Sequence, residues 1–207
     1  MTFFLVVLAV FILLVLNELW WRRYRPKSEL SRKFIHITVG SFVAFWPYLL
    51  SWNQIRLLSL GFLLVVAFSR YWQIFRAIHS VHRLTLGEFF FALAVGLLSF
   101  VQHHPHIYTA ALLVMSLADG LAAVLGTRFG KQSRYRVFGA TKSVVGTLTF
   151  LVVANAILAI YSHTSQLLPA WEVGLVALGA TLLENIGAYG SDNLSVPLFV
   201  GAILLFL

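Results

Sequence analysis

Apolar runs long enough to cross a bilayer recur along this chain, separated alternately by basic and by nearly uncharged segments. The runs fall at 2–21, 34–51, 54–69, 87–102, 107–127, 144–162, 171–188 and 194–207. About 20 apolar residues carry a helix across the hydrocarbon core. The third, fourth and last runs are short, so the pattern predicts an all-α, polytopic bundle of seven or eight transmembrane helices. No repeat, low-complexity tract or linker interrupts it, which leaves residues 1–207 as one integral membrane domain. The first run resembles a signal peptide only superficially. It is too long, its positive charges follow it, and no small-residue cleavage site is evident, so it is expected to be a retained span.

Composition supports the same class. Of the 207 residues, 60% are hydrophobic and 11% charged, with a mean hydropathy of +0.88, too little polar surface for a soluble domain. The absence of cysteine excludes disulfides, thiolate metal sites and thiol nucleophiles. A net charge of +8 raises nucleic acid as a partner until the charges are placed. Arg22, Arg23, Arg25, Lys27, Arg32 and Lys33 sit in the first connection. Arg70, Arg76 and Arg83, with His79 and His82, sit in the third, and Arg128, Lys131, Arg134, Arg136 and Lys142 in the fifth. Of the 15 Lys and Arg residues only Arg56 lies on the other side. Such one-sidedness reads as topology, with the basic side cytoplasmic and both termini outside. In a bacterium the membrane would be the plasma membrane. Nucleic acid drops out.

The acids change the picture more. Glu18, Glu29, Glu88, Asp119, Glu184 and Asp192 all fall toward the basic side, and only Glu172 is outside. Orientation does not depend on acids, so their convergence predicts a site at the cytoplasmic face. Asp119, within the fifth run, is a functional candidate by default because a carboxylate at membrane depth is costly. No basic residue lies mid-span to pair with it, so its partner is expected to be a loop cation or a bound ion.

Four constellations surround that expectation. Arg32, Lys33 and His36 share one helical face where the second span opens, and the free N–H groups of a helix start suit a phosphate; a cluster for anionic lipid headgroups is the simpler reading. Asp119, Ala123, Gly126 and Gly130 form one stripe if the helix continues, with Lys131 next. Small residues there admit a second helix or a ligand. Lys142 and Gly146 lie i,i+4 at the start of the sixth span beside Ser143, so that the ammonium would stand over bare helix. This is a phosphate cradle or a snorkelling lysine, and not a Walker A loop. Glu184-Asn185 and Asp192-Asn193 flank a glycine-containing break and offer hard oxygen ligands suited to Mg²⁺ or Mn²⁺, although Asp192 could merely cap the last helix. His103, His104 and His106 lie on the other side and read as a polar outer loop.

Arg-Lys-x-x-His, Asp-Gly-x-Ala-x-x-x-Gly-x-x-x-Gly-Lys, Lys-Ser-x-x-Gly-Thr and a late Glu followed by Asp-Asn occur in this order over residues 30–200. The set resembles the membrane-bound polyprenol kinase family, which includes dolichol kinase, phytol kinase and CTP-dependent diacylglycerol kinase, and is distantly similar to phosphatidate cytidylyltransferases. The resemblance implies transfer of the γ-phosphate of a nucleotide triphosphate, CTP in the family, to the hydroxyl of a membrane lipid alcohol. It implies catalytic roles for Asp119 and Lys142 first, then Glu184 and Asp192. Phosphate binding would fall to Arg32, Lys33, His36, Gly126, Gly130, Lys131, Ser143 and Gly146, and metal ligation to Asp119, Asp192 and Glu88. The short chain lacks the extra spans of dolichol kinases and looks closer to phytol kinases or short bacterial forms. CDP-lipid synthesis from the same site is the second expectation. Ion or solute transport ranks below it, since no repeat is found and the ionisable residues are confined to one face.

Overall fold

A computed structural model describes residues 1–24, 28–72, 86–101, 104–165 and 169–207. These form eight helices: α1 Thr2–Tyr24, α2 Ser28–Ala44, α3 Trp52–Trp72, α4 Gly87–Val101, α5 Pro105–Phe129, α6 Val144–Ser165, α7 Ala170–Ile186 and α8 Asp192–Phe206. Each apolar run becomes one helix. Three are long and apolar enough to cross a membrane, namely Thr2–Tyr24, Pro105–Phe129 and Val144–Thr164. The shorter apolar stretches, Trp52–Phe68, Gly87–Phe100 and Asp192–Phe206, fall below that length. A helix of 15 residues rises only about 22 Å against a hydrocarbon core of about 30 Å. Against the seven or eight spans expected, the described residues hold three helices of full length and several shorter apolar ones.

Helix α5 is the hub. Two thirds of its most apolar window is buried inside the protein, and it packs against α2, α6 and α8. Its inward residues Tyr108, Leu112, Val114 and Met115 meet Phe150 and Leu158 of α6 and Val196 and Val200 of α8, all essentially inaccessible. Helix α1 is the opposite case, with only 11% of its window buried. It leans on α2, where Asn17 Nδ2 donates to Thr38 Oγ1 at 3.4 Å and to the Leu13 carbonyl at 2.7 Å. Exposed leucines, valines and isoleucines such as Leu5, Leu57, Leu64, Val152, Ile160 and Leu182 make a surface suited to lipid rather than water. The protein is a membrane protein built almost wholly of helix.

Among the described residues the strands form one two-stranded hairpin, in the fifth connection. Strands β1 Arg134–Val137 and β2 Ala140–Ser143 pair antiparallel, Arg134 opposite Ser143 and Val137 opposite Ala140. Phe138 and Gly139 close it at φ 44° and 80°, both positive as a tight two-residue hairpin turn requires. Three local expectations are corrected here. Lys142 lies on β2 and not on a helix, because the chain pairs with β1 up to Ser143. Helix α2 begins at Ser28, so the N–H groups of Arg32 to His36 are already in the helical ladder and form no anion cradle. Gly130 ends the α5 stripe, since the helix stops at Phe129.

Helices α5 and α6 approach closely where those small residues meet. A methyl group on Gly126 would come within 2.7 Å of Ser143 Oγ and 3.1 Å of Gly146 Cα. Gly126→Ala is expected to cost about 1–3 kcal/mol, read as a lowered unfolding temperature in detergent; an unchanged temperature would show that the two helices can separate freely. At the other end of the bundle, Tyr48 OH and His106 Nδ1 lie 2.9 Å apart, His104 occupies the N-cap position of α5 without a side-chain capping bond, and His103 lies outside the described residues. Arg56, the lone basic residue on that side, donates from Nη2 to the Ser99 carbonyl near the C-terminus of α4 at 3.0 Å and lies 4.3 Å over the Phe100 ring. A cation at a helix C-terminus is favoured there.

Candidate active site

The starts of α2, α4, α6 and α8 and the ends of α5 and α7 meet at one end of the bundle. Antiparallel packing of neighbouring helices brings together charged residues that are far apart in sequence. The last stretch of α5 before Asp119, Val114–Ala118, is π-helical. A π segment widens the turn and re-aims the residues after it, a device common at functional sites. It leaves Asp119 buried and facing α2, where Lys33 Nζ donates to Asp119 Oδ2 at 2.5 Å. His36 Nε2 is 3.6 Å from the same oxygen and 3.4 Å from the Met115 carbonyl of the π segment. The costly carboxylate thus has a partner on the second turn of α2, a residue that the sequence places in a loop.

Glu184, near the end of α7, is buried and paired with Lys142, whose Nζ also donates to the Glu184 carbonyl at 2.8 Å. Burial alone would lower the Lys142 pKa. The Glu184 carboxylate outweighs it, helped by Asp192 and Asp119, and holds the ammonium above its ordinary value of 10.5. Asp192 opens α8 after the turn 187–191. The capping position belongs to Ser191, which makes no side-chain cap bond, while Asn193 Nδ2 donates to the Gly87 carbonyl at 3.0 Å and ties α8 to α4. One carboxylate oxygen each from Asp119, Glu184 and Asp192 lie within 4.8 Å of one another. Three carboxylates against two ammonium groups and a histidine form a hard-oxygen set that fits a divalent cation of the Mg²⁺ type.

The cluster lines a cavity of about 840 Å³, together with Lys33, Lys142, Arg134 and Asn193. Ala122, Ala123, Gly126 and Thr127 of α5 form part of its wall, as the small-residue stripe predicts. Ser143 Oγ accepts from Gly146 N–H at 3.1 Å and so caps α6, while both residues also line the cavity. Several expected residues stand apart. Lys131 is exposed in a 3-10 turn, Gly130 packs on Ser143, and Glu88 occupies the first turn of α4 outside the carboxylate cluster. None of these three lines the cavity. The Arg32 side chain lies outside the described residues, as do Arg76, His79, His82 and Arg83.

Two parts of the site were not anticipated. Tyr135 OH of β1 contacts Thr147 Oγ1 of α6 and donates to Asn185 Oδ1 of α7, fastening the hairpin over the mouth of the bundle. Arg134 brings a third cation to the cavity. The alternation Arg-Tyr-Arg-Val, a glycine-containing turn and Ala-Thr-Lys-Ser was the available signal.

Among known proteins, the chain is 34% identical over 190 residues to a phytol kinase of Synechocystis sp., covering 87% of this chain and 80% of that one. It is 30% identical over 208 residues to a probable chloroplastic phytol kinase of Triticum aestivum, covering 68% of that protein. It is 29% identical over 212 residues to a probable chloroplastic phytol kinase 1 of Glycine max, covering 69%. No family model and no solved structure matches. The relationship runs over most of the chain: the protein belongs to the polyprenol and phytol kinase family.

Proposed function

We propose that this protein is a membrane lipid-alcohol kinase that transfers the γ-phosphate of CTP to the hydroxyl of a phytol, polyprenol or diacylglycerol-type substrate at the cytoplasmic leaflet. The observation that carries the reading is the buried Asp119, Glu184 and Asp192 cluster, matched by Lys33 and Lys142, in a cavity at the basic end of the bundle. Phosphoryl transfer asks mainly for positioning and charge neutralisation, and this wall supplies both. Asp119, Glu184 and Asp192 are the residues that hold Mg²⁺ or Mn²⁺, which when bound offsets the charge of the phosphate oxygens. Lys33 and Lys142, paired with Asp119 and Glu184, turn to the triphosphate when it enters, with Arg134 beside them. A carboxylate of the same cluster accepts the proton of the attacking hydroxyl. The lipid reaches the hydroxyl position sideways from the bilayer, with both chain termini on the opposite side of the membrane.

The test uses CTP labelled in the α or the γ position with lipid-alcohol vesicles and the purified protein. Label in the lipid from the γ position alone is the expected result. Transfer of α label to phosphatidate included in the vesicles, with release of pyrophosphate, would instead make the protein a CDP-lipid synthase, and transfer of neither label would remove the kinase assignment.

A further inference from the structure

Phe138 and Tyr189 are alike in three ways. Each is an aromatic residue left 74–75% exposed. Each has a positive φ, 44° and 55°, and is followed by a glycine also at positive φ, 80° and 89°. Both line the same cavity, although one tips the hairpin and the other tips the turn between α7 and α8. The left-handed region is expensive for a bulky side chain, and turns of this kind take Asn, Asp or Gly at that position. Nothing in closing either turn calls for a ring. The second turn is also held in place from the start of α4, where Leu86, the residue before the helix, donates its N–H to the Tyr189 carbonyl at 3.0 Å and Gly190 lies hard against Gly87. Strain of this sort, kept by surrounding structure, clusters at ligand-binding positions.

The cavity is graded from its floor to its rim. Lys33, Asp119, Glu184 and Ser143 at the floor are buried, whereas Phe138, Gly139 and Tyr189 at the rim are open. A ligand that matches has an anionic tail and a flat, π-rich head. We propose that Phe138 and Tyr189 are the base-binding jaws of the site, stacking on the nucleobase of the nucleotide whose phosphates lie on Lys33 and Lys142. This rests on the kinase reading and adds to it the two residues that hold the donor's head. Rings serving only as interfacial anchors would need neither the cavity nor the left-handed backbone.

Phe138→Asn and Tyr189→Asn suit both turns better than the native residues, so the variants fold. CTP binding to the full-length protein in nanodiscs, measured by titration calorimetry, is expected to weaken roughly 5- to 100-fold in each variant, the range for loss of one base–aromatic stack. Inorganic tripolyphosphate, which has no base, should bind all forms equally, and Phe138→Tyr and Tyr189→Phe should keep the native CTP affinity. Unchanged CTP binding in the Asn variants overturns the jaws, as does an equal loss of tripolyphosphate binding. Rings that act as anchors reveal themselves by a raised KM for the lipid with native CTP affinity, which also overturns the proposal. The kinase reading fails separately, if the wild-type protein binds CTP and transfers no phosphate.

Discussion

Asp119→Asn is expected to reduce phosphoryl transfer on the order of 10³-fold, the scale at which removal of one preorganised charge in a water-poor site is felt. Asparagine keeps the shape and loses the charge, so it can neither hold a divalent cation strongly nor accept a proton. The same change leaves Lys33, buried with Asp119 at 2.5 Å, without its counter-charge. Breaking a buried pair by removing one partner costs about 3–5 kcal/mol. Stability must therefore be read beside activity. Membrane insertion and the detergent unfolding temperature of Asp119→Asn, and of Asp119→Asn combined with Lys33→Gln, separate the two effects. The double variant should recover stability and remain inactive. Full activity in Asp119→Asn would remove the residue from the chemistry.

Lys142→Ala is expected to raise the KM for CTP by more than about tenfold, an effect of the size attached to a charge-assisted phosphate contact. Its partner Glu184 is then left unpaired in the wall, so Lys142→Ala with Glu184→Gln is the companion measurement. An unchanged KM in the single variant would place the triphosphate elsewhere. The pH dependence has a definite sign. Glu184, aided by Asp192 and Asp119, raises the Lys142 pKa against the opposing effect of burial. A raised lysine value means that the pairing contributes in full below the ordinary value of 10.5 and is lost only above the raised one. The KM for CTP should accordingly stay flat from pH 7 to about 9, and a rise across that window would mean that Lys142 loses its proton there.

The helices were legible because each apolar run has a single helical solution in lipid, where every backbone group must be satisfied internally, but not all of their ends, since the run 34–51 became α2 Ser28–Ala44. The carboxylates were legible for a related reason, since Asp119 and Glu184 have no topological purpose within their runs. The pairings were not. Lys33 and Asp119 are 86 residues apart, and nothing local says which loop cation meets which acid; helix packing decides that. Lys142 was given to a helix because the periodicity of its neighbours allows one, whereas pairing with Arg134–Val137 takes it into a strand. Lys131 and Glu88 have suitable charges near suitable helices and nevertheless lie outside the cavity, because a helix end fixes depth in the membrane but not azimuth around the bundle. The π segment before Asp119 left no mark in Val-Met-Ser-Leu-Ala that distinguishes it from ordinary helix.

The Lys33–Asp119 pair also bears on how the chain is made. Lys33 leaves the ribosome 86 residues ahead of its partner, so during synthesis α2 carries that ammonium near its N-terminus before Asp119 has been made. A lysine there can bend its alkyl stem toward the headgroups and wait, which an aspartate with its short side chain could not do. The order of the two charges along the chain therefore matches the order of synthesis, the tolerant cation first and the intolerant acid only when its counter-charge is already in the membrane. Exchanging them, with aspartate at 33 and lysine at 119, would preserve the folded pair and hand the early helix the charge that cannot wait.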